Sequence, residues 1–113
     1  MDNCIFCQIA NKKIPAKVHY EDDDFIAYED IKPKALIHLL VIPKQHAGAM
    51  STLMDDDFLM MGNLLKVAKH IAEKERISRT GYRIVINSGK DSGMEVDHLH
   101  LHLLGGSQLN DIN

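Results

Sequence analysis

The sequence predicts a single α+β domain, and three observations carry that prediction. The chain has 113 residues, a length typical of one domain. One long stretch, Asp55 to Arg76, places apolar residues at helical spacing, with shorter strand-like runs on both sides of it. The last of these runs, Val96 to Leu104, alternates polar and apolar residues from His98 to Leu103, which is the period of a strand.

Cys4 to Asn11 is expected to be a short helix, because Ile5, Phe6 and Ile9 recur at three-to-four spacing. Ile14-Pro15 breaks it. Val18 to Glu21 and Phe25 to Glu29 read as a hairpin joined by the acidic turn Asp22-Asp23-Asp24. Ile37 to Ile42 is a more apolar strand that Pro43 ends. In the long helix, Phe58, Met61, Leu64, Leu65, Ala68, Ile71 and Ala72 form a stripe that should cover one face of a sheet. Asp55, Asp56 and Asp57 in its first turn, and Lys74 and Arg76 in its last, complement the helix dipole. Its methionines and His70 read as ordinary core and surface. Tyr82 to Asn87 is a strand with Tyr82, Ile84 and Ile86 on one face, and Ser88 to Gly93 is a turn-rich loop. The two final strands, so close in sequence, are expected to pair antiparallel.

Composition narrows the function. Hydrophobic residues make up 45% and charged residues 26%, which excludes a disordered chain, a collagen-like repeat and a coiled coil. The net charge of −3 argues against a nucleic-acid partner, whose footprint is a basic excess. The N-terminus Met1-Asp2-Asn3-Cys4 lacks the basic and apolar regions of a signal peptide. The longest apolar stretch, Ala35 to Pro43, is interrupted by His38 and is far short of the roughly 20 residues that cross a bilayer. No membrane partner is expected, and the expected compartment is the cytoplasm. There, Cys4 and Cys7 read as half of a tetrahedral zinc site or as plain thiols, more readily than as a structural disulfide.

The final strand is the most informative segment. Alternation sends Leu99, Leu101 and Leu103 to one face and His98, His100 and His102 to the other. An exposed polar face has no need of three histidines in five residues. At about 3.3 Å per residue, His98 and His102 lie roughly 13 Å apart, so all three cannot share one ion, although a neighbouring pair could. The alternative is a catalytic row with His100 as nucleophile and its neighbours orienting it or meeting the leaving group. Gly89 to Gly93 ends just before this strand, and its small residues permit close approach of main-chain N–H groups to an anion.

His98-Leu99-His100-Leu101-His102-Leu103-Leu104, followed by Gly105-Gly106, resembles the signature of the histidine triad (HIT) family, in its nucleotide-binding branch. Cys4-Ile5-Phe6-Cys7, Ile14-Pro15-Ala16-Lys17, Asp30-Ile31-Lys32-Pro33, His38 to Lys44, Gly81-Tyr82-Arg83 and the Asn87 to Gly93 loop extend the likeness over nearly the whole chain. The resemblance implies a HIT-like fold: a five-stranded antiparallel sheet with one long and one short helix, in a homodimer. It implies a hydrolase of nucleoside 5′-phosphoramidates, a purine nucleotide being carried on a covalent nucleotidyl-histidine. A dinucleoside polyphosphate hydrolase, or a nucleotide-binding regulatory module with weak catalysis, is the alternative. Carried onto this chain, His100 is the nucleophile, His98 and His102 support it, and His38 is a fourth motif histidine. Asp30 would accept the ribose hydroxyls, Ile5, Phe6, Ile9 and Ile31 would form the base slot, and Asn87, Gly93, Met94 and Glu95 would face the phosphate. Met94 and Glu95 depart from the Gln-Ser often found there, and a thioether donates no hydrogen bond. For members with the cysteine pair, the resemblance implies zinc, which places it here on Cys4, Cys7, His46 and His98.

Overall fold

The computed structural model describes residues 4–94 and 96–111. A short helix α1 (Ile5–Ala10) leads into β1 (Val18–Glu21), β2 (Phe25–Glu29) and β3 (Ile37–Pro43). The long helix α2 (Phe58–Lys74) follows, then β4 (Tyr82–Val85) and β5 (Leu101–Gly105). Among the described residues these strands form one five-stranded antiparallel sheet in the order β1-β2-β3-β5-β4. The Asp22 carboxylate makes the β1–β2 turn by accepting the N–H groups of Asp24 and Phe25 at 2.7 Å each. No helix of the described residues is long and apolar enough to cross a membrane.

The two-residue period of the strands assigns the two faces. Phe25, Ala27, Leu39, Val41, Leu101 and Leu103 pack with Met61, Leu64, Ala68, Ile71 and Ala72 of α2. Ile26, Tyr28, Leu40 and Ile42 pack instead with Phe6, Ile9 and Ala10 of α1. The molecule is therefore three layers, with α2 on one face of the sheet and α1 on the other. Alternation along β3 and β5 puts His38 and His102 on the α1 face. Leu40 lies opposite His102, which makes His38 the diagonal neighbour of that histidine.

Four expectations need correction. The last strand begins at Leu101, not Val96. Continuing its register would set Leu99 against Pro43, which has no N–H to give, and the Leu99 N–H bonds the carbonyl of Ala47 instead. Tyr82 to Asn87 stops at Val85 because Val85 pairs with His102, near the beginning of β5. The helix predicted over Asp55 to Arg76 begins as a 3₁₀ turn at Asp55–Asp57 and ends at Lys74, with Arg76 at φ +64° closing it. Phe58 and Leu65 lie at the margin of its stripe and are about half exposed.

His19 ties the edge strand β1 to the end of α2. Its Nε2 is 2.7 Å from Glu29 and its Nδ1 is 3.0 Å from Glu75, so both nitrogens face acceptors and both carry protons. Burial lowers the imidazole pKa, but the hydrogen bonds to Glu75 and Glu29 outweigh it, and the pKa is raised above the ordinary 6.5. A raised histidine contributes fully below its unfolded value and loses that contribution as pH rises through its folded value. Wild type should therefore exceed His19→Gln in denaturant midpoint by most between about pH 5 and 6.5, where the ring is charged and its carboxylates are ionised, the gap closing at higher pH. A gap that widens with pH would show that the ring is neutral in the fold.

Candidate active site and metal cluster

Four histidines sit on the α1 face of the sheet, and main-chain carbonyls set the orientation of two of them. His100 Nδ1 is 2.7 Å from the carbonyl oxygen of His98. A carbonyl only accepts, so Nδ1 carries a proton, and in the neutral ring Nε2 then keeps its lone pair. That is the state a nucleophile needs. His98 reaches His100 through this main-chain oxygen, while its ring turns away. His98 Nε2 donates to the carbonyl of Pro43 at 2.9 Å, which leaves its Nδ1 lone pair facing sulfur.

That lone pair enters a cluster of Cys4, Cys7, His46 and His98, whose ligand atoms all lie within 4.8 Å of one another. His98 Nδ1 is 3.2 Å from Cys4 Sγ and 3.4 Å from Cys7 Sγ, and His46 Nδ1 is 3.2 Å from Cys7 Sγ. Zinc with S at about 2.3 Å and N at about 2.0–2.1 Å would set sulfur and nitrogen about 3.6 Å apart in a tetrahedron. The donor set and spacing therefore fit zinc. The pair can share an ion because Cys4 caps α1, its Sγ accepting the N–H of Cys7 at 3.4 Å. Burial and the Cys4 thiol push the Cys7 thiol up to about 11, so without a cation it stays protonated.

Asp30, His38 and His102 form a second cluster at metal-like spacing. His38 Nε2 is 3.0 Å from His102 Nδ1 and 3.5 Å from Asp30 Oδ2. His38 Nδ1, however, accepts the main-chain N–H of Lys34 at 3.0 Å. A neutral imidazole then has its proton on Nε2 and no lone pair there to give a metal. This cluster is a hydrogen-bond network.

Beside it lies an apolar cleft of about 690 Å³ lined by Ile5, Ile9, Ile14, Pro15, Tyr28, Asp30, Ile31 and Pro33, with Lys17 among its polar residues. Asp30 belongs to both cleft and network, so it marks where the two meet. Phe6 is buried behind the cleft, edge-on to Tyr28 at 6.2 Å and to His100 at 4.8 Å between ring centroids. Tyr28, Ile14, Pro15 and Pro33 were not foreseen as lining residues. The alternation of β2 could have shown Tyr28, since it shares a face with Asp30.

Asn87 follows β4, and the loop after it turns through Lys90–Ser92 to Gly93, whose φ of +87° suits glycine. Met94 spends its sulfur within this loop, accepting the Gly89 N–H at 3.4 Å. Glu95 lies outside the described residues.

A model of the HIT domain family matches residues 11–109. An uncharacterized HIT-like protein of Buchnera aphidicola is 41% identical over 108 residues, which are 96% of this chain and 95% of that protein. Among solved structures, a HIT family hydrolase from Legionella pneumophila is 47% identical, with a TM-score of 0.93 and 96% of each chain covered. A zinc-bound histidine triad family protein from Mycobacterium smegmatis is 31% identical, with a TM-score of 0.79, covering 96% of this chain and 81% of that one.

Burial, followed by the neighbouring His100 and His38, pushes the His102 pKa down to about 4, and burial also lowers that of His38. The ring-proton NMR titration of His102 should therefore have its midpoint near pH 4, with no step near neutrality. A midpoint above about 6 would mean that the row carries a charge that this packing does not support.

Proposed function

The chain belongs to the HIT domain family, and on that premise we propose that it hydrolyses nucleoside 5′-phosphoramidates through a nucleotidyl group carried on His100. The observation that supports this most is the bare Nε2 of His100, created by the bond from its Nδ1 to the His98 carbonyl. The name of the Legionella relative, a HIT family hydrolase, supports the broader reaction class.

In this reading the purine base enters the apolar cleft, and its ribose reaches Asp30. One Asp30 oxygen already accepts the Lys32 N–H at 2.8 Å, yet a carboxylate has about four lone-pair sites, which leaves room for a cis-diol. The α-phosphorus then stands before His100. Attack forms the P–Nε2 bond and breaks the bond to the departing amine, and His102 is the neighbouring imidazole on that side. Water next attacks phosphorus, breaks the P–Nε2 bond and releases the nucleoside monophosphate. Over the cycle the amine gains the proton that water loses. One observation favours the alternative, a nucleotide-binding regulatory module with weak catalysis. The Met94 sulfur occupies the Gly89 N–H, a donor that a phosphate could otherwise use.

Cys4, Cys7, His46 and His98 would hold zinc as a structural ion. It would pin α1 to the segment that precedes β5 and so fix the carbonyl that orients His100. A homodimer and a cytoplasmic location complete the reading. Among the described residues β4 is an edge strand, and Phe58 and Leu65, seven residues apart on α2, are half exposed; each offers a place for a second copy.

His100→Ala should reduce turnover of an adenosine phosphoramidate to below about one-thousandth while nucleotide still binds. Acid quenching of the wild type should leave the nucleotidyl group on the His100 peptide in mass spectrometry. A label on His102, or a near-native rate in the variant, would overturn the assignment.

Purified protein should carry one zinc per chain by elemental analysis. Cys4→Ser and His46→Ala should lose it, and His100→Ala should keep it. Full zinc in Cys4→Ser would place the metal elsewhere.

A further inference from the structure

Between β2 and β3 the chain makes a tight excursion. The Asp30 carboxylate accepts the N–H of Lys32 at 2.8 Å, Pro33 supplies no N–H, and the next donor is the N–H of Lys34. It points at His38 Nδ1, 3.0 Å away, on a ring that is only 4% exposed. With Nδ1 accepting, the His38 proton must sit on Nε2. That proton faces His102 Nδ1 at 3.0 Å, so His102 accepts there and holds its own proton on Nε2. One main-chain amide thus determines two tautomers in succession.

We propose that the main-chain N–H of Lys34 is a positioning group that locks His102 as an Nε2–H hydrogen-bond donor toward the leaving group. The inference rests on the reading of His100 as nucleophile and His102 as its leaving-group neighbour. The lock has a direct chemical consequence. If His102 Nδ1 took up a second proton, it would have to donate to His38 Nε2. His38 would then need its proton on Nδ1, against the Lys34 N–H. The pair therefore works as a neutral unit whose single outward donor is preset. The inner nitrogens need no rearrangement when substrate arrives, which is the advantage of a preorganised donor.

The test begins with uniformly ¹⁵N-labelled wild type. Long-range proton–nitrogen spectra should show the Nε2–H tautomer for both His38 and His102. Couplings through the hydrogen bonds should join the Lys34 amide nitrogen to His38 Nδ1, and His38 Nε2 to His102 Nδ1. Lys34→Pro removes the N–H. It should give mixed tautomers on both rings and a fall in kcat of about tenfold or more, with KM within about twofold. His38→Gln tests the same lock without changing the backbone, because its amide offers one acceptor to Lys34 and one donor to His102. It should hold kcat within about fivefold of wild type, while His38→Leu should lose about tenfold or more.

An Nδ1–H tautomer on either wild-type ring overturns the proposal, and so does full kcat in a folded Lys34→Pro whose tautomers are mixed. The two readings fail differently. Missing couplings with normal turnover and label on His100 sink the lock alone. Intact couplings with no turnover and no label sink the hydrolase reading, and with it the catalytic role of the lock.

Discussion

Every feature of the site depends on the register of one apolar alternation in the middle of the sheet. Leu99, Leu101 and Leu103 are fully buried against α2, and their burial alone sends His98, His100 and His102 to the opposite face. A slip of one residue would bury imidazoles among Leu64, Ala68 and Ile71 and turn three leucines onto the α1 face, away from that cluster. Each imidazole set without a hydrogen-bond partner in that apolar cluster would cost about 1–3 kcal/mol, so the register is held by more energy than any single contact within the site. The hydrophobic layer thus does for the histidines what no hydrogen bond between them could do.

The main chain then separates the row into different tasks. Pro43 has no N–H, so the ladder between β3 and the last strand stops short of Leu99. Released from pairing, the segment from His98 to His100 can direct its own polar groups. The Pro43 carbonyl takes the His98 Nε2–H, the His98 carbonyl takes the His100 Nδ1–H, and the Lys34 N–H meets His38. In each case a main-chain group with only one possible role forces a choice on an imidazole that has two. A tautomer held by the backbone is held by the fold itself, and a ring so held needs no charged partner.

Much of this was legible in the sequence, for a physical reason. Periodicity reports which side chains share a face, and it located the hairpin, β3, the helical stripe and the histidine row. It reports nothing of hydrogen-bond partners along a strand. The loss of ladder before Leu101 required knowing that Pro43 lies across from Leu99, a long-range fact. Phe58 and Leu65 illustrate the other gap, since the width of a stripe depends on what the helix packs against. The cleft was legible only through Ile5, Ile9, Asp30 and Ile31, which the family resemblance supplied. Pro15 read as a helix breaker and Pro33 as part of a family block, and both proved to be walls of the cleft.

Burying three of these histidines so completely would be costly if any were charged, because an isolated ion is far more expensive to bury than a hydrogen-bonded neutral ring. His38, His98 and His100 are each at most 5% exposed, and each has a main-chain group bonded to one nitrogen. Burial lowers the pKa of His38, His98 and His102 alike. Neutral imidazoles offer lone pairs and N–H donors at defined positions while adding no net charge. Such a surface suits an anionic ester. In the proposed reaction it would let a lone pair approach phosphorus and place donors where negative charge grows. Asp30, the one carboxylate among the described residues in contact with the network, lies at the border with the apolar cleft. In the proposed reaction its charge would meet hydroxyl donors there, away from the phosphorus that it would otherwise repel.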